Sequence, residues 1–269
     1  MQPRLRRLGV TALLCWTTRS ARTAALYVSS SETGSCRNLP TVRPMSTASS
    51  VEDASVRVVR VLALHGSEGT AEEFPSRLEA LKSMLATDRN VQLEITSVEG
   101  PFPKGGGYSW WTMKPGERSF TANEYGGFDT AAEIVLEAWK VDPPYDLCLG
   151  HSQGAIMIAA LITLGKVPYH PSLGYIFNGV SFPNPYRKEV GALKIEASSS
   201  STGASTVRAL FIMGTDDKVT PNETGEELRD GFQSAGLAVE TVKHLGGHGF
   251  PNRQDETMKA ITEWISNKI

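Results

Sequence analysis

The chain has 269 residues, 40% of them hydrophobic and 21% charged, with a formal net charge of −2. This is the balance of a globular protein holding one α/β domain and some additional chain; it excludes a collagen-like or disordered polymer and gives no reason to expect a nucleic-acid partner. No stretch stays apolar for the roughly 18 residues a spanning helix needs, and the three cysteines, Cys15, Cys36 and Cys148, fit neither a disulfide framework nor a metal site.

Residues 1–50 stand apart. They hold seven arginines, no lysine and one acid, Glu32, a net +6 that leaves −8 on the remainder. They are dense in Ser and Thr, with one short apolar patch from Leu8 to Trp16. That is the composition of a transit segment for a mitochondrion or plastid. A secretory signal, with Arg4–Arg7 as its basic region, and an unaddressed tail are the competing readings. Met45 offers a second start that would leave a cytoplasmic product. The folded domain is expected over 51–269.

From Val56 to Leu64 the chain is β-branched and almost continuously apolar, the pattern of a buried parallel strand. Thr70 to Ala86 carries Phe74, Leu78, Leu81 and Leu85 at helical spacing. Val91 to Val98 alternates as a strand. Gly100 to Gly127 reads as a long functional loop rich in Gly, Pro and aromatics. A helix over 128–139, a strand over 145–149 and an apolar helix over 153–164 follow. The remaining elements are a strand over 173–180, an irregular insertion over 181–206 that includes the serine run 198–201, a strand over 207–213, a helix over 223–234, a strand over 237–243 and a closing helix over 255–267. Strand and helix alternate throughout, which predicts a doubly wound, mostly parallel sheet with helices on both faces.

In such a sheet the chemistry belongs at the carboxyl ends of the strands. There the sequence places His65-Gly66-Ser67, Gly150-His151-Ser152-Gln153-Gly154, Gly214-Thr215-Asp216-Asp217 and Gly246-Gly247-His248. A serine, an acid and a histidine thus each follow a strand, in the chain order of the α/β-hydrolase triad. Ser152, between a buried strand and a helix that opens at once, is the candidate nucleophile; the competing role is a helix N-cap. His248, in a glycine-rich loop, is the candidate base. Asp216 and Asp217 compete for the acid. His244 reads as structural, His151 as packing against or lining the pocket, and Cys148 as a core residue. The amides of Gln153 and Ser67 are the candidate oxyanion donors. Five aromatics in the 100–127 loop, Trp110 and Trp111 among them, are expected to wall an acyl pocket. His65 is grouped with the two tryptophans as substrate-binding.

These pieces together resemble the FSH-type serine hydrolases, small α/β-hydrolases related to the ovarian-cancer-associated gene 2 protein. The matching residues are Leu64-His65-Gly66, Trp110-Trp111, Gly150-x-Ser152-Gln153-Gly154, Gly214-x-x-Asp217 with Pro221, and Gly246-Gly247-His248 with Pro251, across roughly 57–267. The resemblance implies Ser152 as nucleophile, Asp217 rather than Asp216 as acid, and His248 as base. It also implies acyl ester substrates, long-chain esters and thioesters included. The chain departs from the family's usual residues at Ser67-Glu68, Tyr108-Ser109 and His151, positions that bear on substrate.

The expectation is therefore a serine esterase that forms an acyl-enzyme on Ser152 without metal or organic cofactor. Its partner is a small acyl ester or thioester. A lactone or dienelactone hydrolase, and a catalytically silent ligand-binding α/β-hydrolase, are the rival readings.

Overall fold

The computed structural model describes residues 56–167, 173–195, 207–253 and 255–269. The targeting segment 1–50, the 50/51 boundary and the serine run 198–201 lie outside the described residues.

In chain order the elements are β1 (Arg57–Leu64), α1 (Phe74–Arg77), α2 (Glu79–Arg89), β2 (Val91–Val98), β3 (Phe102–Lys104), β4 (Gly107–Ser109), α3 (Phe128–Trp139), β5 (Leu147–His151) and α4 (Gln153–Thr163). Then come β6 (Gly174–Asn178), a 3-10 turn (Asn184–Tyr186), α5 (Arg187–Ala192), β7 (Arg208–Gly214), α6 (Asn222–Ala235), β8 (Ala238–His244) and α7 (Glu256–Lys268). Six strands form one sheet in the order β2-β1-β5-β6-β7-β8, all pairs parallel. From β1 the chain steps outward to β2, then returns to the other side of β1 and builds β5 to β8 in sequence. The winding direction reverses between β1 and β5. Loops leaving these two strands diverge there and open a crevice at their carboxyl ends.

Strand residues alternate between two cores, which is why both faces need helices. Leu62, Leu64, Cys148, Tyr175, Phe177 and Phe211 point to the face covered by α3, α4, α5 and α6. Val59, Val61, Ala63, Leu149, Ile176 and Ile212 point to the face covered by α1, α2 and α7. The central strands are buried on both faces, so they read as apolar runs rather than as alternation. Every residue of α4 is buried, as befits a helix apolar on all sides. Burial of the Cys148 thiol pushes its pKa well above the ordinary range, consistent with an inert core position. Each fully buried Leu, Ile or Phe contributes roughly 1.5–3 kcal/mol against the entropy of ordering the chain.

The expected helix over 70–86 is two helices. Pro75 sits in the first turn of α1, and Leu78 joins α1 to α2 with φ −97° and ψ 3°. The predicted face survives the break: Phe74, Leu78, Leu81 and Leu85 all lie in one core. The 100–127 loop contains the antiparallel hairpin β3–β4, whose three-residue strands are too short to announce a period. The 181–206 insertion contains α5, anchored by the buried Val190.

Candidate active site

Ser152 is held at φ 51° and ψ −119° between β5 and α4. A serine at positive φ is strained by roughly 1–3 kcal/mol, and its neighbours explain how the bend is sustained. A Cβ on Gly150 would stand 2.5 Å from Ala155 Cα, and one on Gly154 would stand 2.6 Å from the His65 carbonyl oxygen. Only glycine lets helix, nucleophile turn and β1 approach this closely. The Ser152 amide donates to the Asn178 carbonyl at 2.9 Å, tying the turn to β6. The Ser152 side chain makes no cap hydrogen bond to α4, so it is not spent as an N-cap.

The two aspartates separate cleanly. Asp216 is exposed and pairs with Lys218 Nζ at 2.6 Å. The Asp217 carboxylate is 1% exposed. Its Oδ1 accepts from the amides of Val219 at 2.8 Å and Thr220 at 2.9 Å. Its Oδ2 accepts from His248 Nδ1 at 2.7 Å. A carboxylate held on three donors fixes the imidazole plane and places the proton of neutral His248 on Nδ1. Nε2 is buried and has no hydrogen-bond partner among the described residues. Glycines set the loop that carries His248. A Cβ on Gly214 would collide with the carbonyls of Gly246 and Gly247, and one on Gly179 would stand 2.9 Å from His248 Cε1. Sequence reasoning missed Gly179, although Asn178-Gly179 follows β6 as the other site segments follow their strands.

Ser152 and His248 line one cavity of about 330 Å³, near the lower limit for small-molecule sites. Ser67 and Gly66 line it too. A Cβ on Gly66 would lie 3.1 Å from Ser152 Cβ, so the loop after β1 abuts the nucleophile. That loop is pinned from outside: the Glu68 amide donates to the Tyr108 carbonyl at 2.7 Å and the Tyr108 amide to the Gly69 carbonyl at 2.9 Å. Glu68 takes φ 66° within it. The Ser67 amide has no acceptor among the described residues, and the Gln153 amide, first in α4, has none within the helix. Both are free for an oxyanion beside Ser152. The Gln153 side chain is buried, and its Oε1 accepts from the Trp110 amide at 3.1 Å.

The structure corrects the expectation for the tryptophans. Trp110 is 0% and Trp111 1% exposed, and neither lines the cavity. Trp110 Nε1 donates to the His65 carbonyl at 2.8 Å, and Trp111 stacks on Tyr125 with centroids 4.2 Å apart. An indole buries more apolar area than any other side chain; here that area anchors the loop to the core. His65 does reach the cavity, yet both of its ring nitrogens serve the backbone. Nδ1 donates to the Gly66 carbonyl at 2.7 Å, and Nε2 accepts from the Gly100 amide at 3.0 Å. Burial lowers its pKa, prevailing over Glu99, whose Oε1 stands 3.2 Å from Nε2. His65 is thus a neutral brace.

His151 is buried beside the site, its ring centroid 5.0 Å from that of His248. Burial first, and the neighbouring His248 and Arg77 charges after it, lower its pKa to about 3. Its Nδ1 accepts from Asn178 Nδ2 at 2.8 Å. His244, also buried, has its pKa lowered by that burial, and its Nδ1 accepts from the Gly246 amide at 3.2 Å; its role is structural. Among the described residues no cluster of ligating side chains fits a metal ion, and no helix is long and apolar enough to cross a membrane.

Known proteins similar to this chain include esterases. An esterase of Anopheles gambiae is 29% identical over 221 residues, covering 76% of this chain and 76% of its own length. Esterase OVCA2 of Xenopus tropicalis is 26% identical, covering 74% of this chain and 88% of its own. Among solved structures, esterase PE8 aligns with a TM-score of 0.58 at 19% identity, over 80% of this chain and 96% of that one. The Bacillus cereus carboxylesterase aligns at 0.53 and 18%, over 79% and 89%. These structural likenesses bear on the fold alone. The family model described as serine hydrolase (FSH1) matches residues 54–260. The chain therefore belongs to the FSH1 family of serine hydrolases.

Proposed function

We propose that this serine hydrolase cleaves carboxylic esters through an acyl-enzyme on Ser152. His248 Nε2 takes the Ser152 hydroxyl proton as Oγ attacks the ester carbonyl, and Asp217 holds the ring and stabilises the imidazolium. The amides of Ser67 and Gln153 receive the oxyanion, each worth roughly 3 kcal/mol in the transition state. Collapse expels the alcohol, which takes its proton from His248. Water, deprotonated by His248, then releases the acid. The observation that carries the reading is the 2.7 Å bond from His248 Nδ1 to a buried Asp217 carboxylate, beside a serine at positive φ in the same cavity.

The cavity's hydrocarbon side chains are Phe74 and Val219, so its walls favour short or polar acyl groups over long chains. Thioesters would pass through the same acyl-enzyme.

The test is labelling of the full chain by a fluorophosphonate probe together with hydrolysis of 4-nitrophenyl acetate. Ser152→Ala should abolish labelling, and Ser152→Ala and His248→Ala should each lower kcat/KM by about 10⁴-fold. Labelling that survives Ser152→Ala, or His248→Ala within tenfold of wild type, would refute the assignment. From composition alone we also propose that residues 1–50 address the protein to an organelle. Fusing them to a fluorescent protein tests this, and a diffuse signal counts against it.

A further inference from the structure

The rim of the catalytic cavity is charged in a way that ester hydrolysis does not require. Three cations, Arg77, Lys104 and Arg118, stand there against two carboxylates, Glu68 and Glu73. This net positive mouth sits on a domain whose residues beyond position 50 carry −8. Lys104 is already matched: its Nζ lies 3.6 Å from Glu68 Oε1 and donates to Ser67 Oγ at 2.9 Å. Arg118 spends one Nη2 donor on the Val219 carbonyl at 3.2 Å, bridging the 112–126 loop to the segment that carries Asp217. The Arg77 guanidinium has no hydrogen-bond acceptor or ion-pair partner among the described residues. It closes α1, whose Phe74 is buried with its ring 6.3 Å from that of His151. The backbone that carries Arg77 is thereby anchored beside Ser152, and Arg77 itself is exposed and borders the cavity. The Arg77 charge also reaches both His65 and His151, the histidines that flank the site, and disfavours their protonation.

We propose, resting on the ester hydrolase reading, that the substrate carries an anionic oxygen group near the scissile ester and that Arg77 receives it, with Arg118, which lines the same cavity, reinforcing. A guanidinium presents paired donors that match a carboxylate or phosphate. A cleft of one sign in a body of the other also concentrates oppositely charged ligands and speeds their capture. Glu73, four residues before Arg77, opposes this selection and sets its strength. The long-chain neutral ester suggested by the family resemblance would leave these charges unused.

The experiment compares neutral and anionic esters of equal length, ethyl hexanoate against monoethyl adipate and ethyl butanoate against monoethyl succinate, with acid release followed by pH-stat. Wild type should favour at least one anionic member by tenfold or more in kcat/KM at low salt, and 0.5 M NaCl should shrink the preference. Arg77→Gln should lower the anionic-to-neutral ratio at least tenfold, Arg77→Lys should restore part of it, and Glu73→Gln should raise it. The control Lys82→Gln, whose side chain pairs with Glu79 on α2, should leave it unchanged. Competition by glutarate and by inorganic phosphate at equal ionic strength distinguishes a carboxylate from a phosphate substrate. A ratio near one in wild type, or a ratio that Arg77→Gln leaves intact, overturns the proposal while the esterase reading stands. If neither ester is cleaved and the fluorophosphonate fails to label Ser152, that reading falls and this proposal with it.

Discussion

Replacing Asp217 by asparagine changes one atom and should cost the enzyme about four orders of magnitude. The reason lies in what surrounds the carboxylate. Oδ1 accepts from the amides of Val219 and Thr220, so an asparagine must keep its carbonyl oxygen on that side. Turning its NH₂ there would set donors against two N–H donors. The amide nitrogen is then forced towards His248 Nδ1, where Oδ2 now accepts at 2.7 Å. A donor at that position makes Nδ1 an acceptor and moves the proton to Nε2. The histidine can then no longer take a proton from Ser152. The comparable change in a serine protease lowers kcat about 10⁴-fold, which corresponds to about 5.5 kcal/mol of transition-state stabilisation. Stability should change little, because the two backbone hydrogen bonds survive. Asp217→Ala strands the part-buried Thr220 amide at about 1–3 kcal/mol, while the exposed Val219 amide can turn to water, and should lower the melting temperature as well. Asp216→Asn removes only an exposed partner of Lys218, a pair worth little in stability, and should stay within about twofold of wild-type activity. The assay is kcat/KM on 4-nitrophenyl acetate alongside a thermal scan. Asp217→Asn retaining more than a tenth of wild-type activity while folded, or Asp216→Asn proving the more damaging, would refute the argument.

Further expectations follow from other parts of the site. His151 titrates at about 3 in the folded protein against about 6.5 in an unfolded chain. The unfolded state therefore binds the proton first. Its contribution to stability is complete above about pH 6.5 and falls by up to about 1.4 kcal/mol per unit below it, reaching about 3 kcal/mol by pH 4.5. Urea titrations of wild type and His151→Phe at pH 7 and pH 4.5 check this, and parallel losses in the two proteins would contradict it. Trp111→Ala should cost about 3–5 kcal/mol of stability and alter every acyl length alike. A selective loss on longer acyl esters would return Trp111 to the pocket wall. Gly214→Ala should displace the His248 loop, with activity falling more than about 100-fold, since misplacing a catalytic group by about an ångström is enough for that. A normal rate in that variant would mean that the loop is free to move.

Much of the site was legible because one rule, chemistry at the carboxyl ends of parallel strands, applies to residues that sequence fixes well. Ser152 and Asp217 each follow an apolar run that is hard to read as anything but a buried strand, β5 and β7, whereas His248 follows the alternating edge strand β8. The choice between Asp216 and Asp217 came from motif resemblance rather than periodicity, because neighbours in a turn differ only in direction. The tryptophans misled because aromatics in a Gly-rich loop look exposed until the core they enter is known. Trp110 is tied to the His65 carbonyl and the Gln153 side chain, and Trp111 stacks on Tyr125, contacts that no local pattern reports. Arg77 was invisible for the opposite reason. A charged residue ending an amphipathic helix is the commonest sight on any surface, and only the cavity it borders singles it out. The β3–β4 hairpin escaped because short strands carry no countable period, although Gly105-Gly106 between them is a turn signal.

The seat that Gly214 offers to Gly246 and Gly247 has a consequence for the order in which the protein matures during synthesis. The nucleophile turn depends on β1, β5 and β6, all translated by residue 178. The base rides on a loop near residue 248, which reaches its place only after β7 and β8 have added themselves to the sheet edge. A growing chain would thus carry a shaped serine well before it holds the histidine that activates it. Parallel pairing over such separations is slow, so the His248 loop is seated only after β7 and β8 have paired. A chain that stops before β8 would hold Ser152 in its turn without a seated His248, and the onset of probe labelling would time the moment β8 joins the sheet.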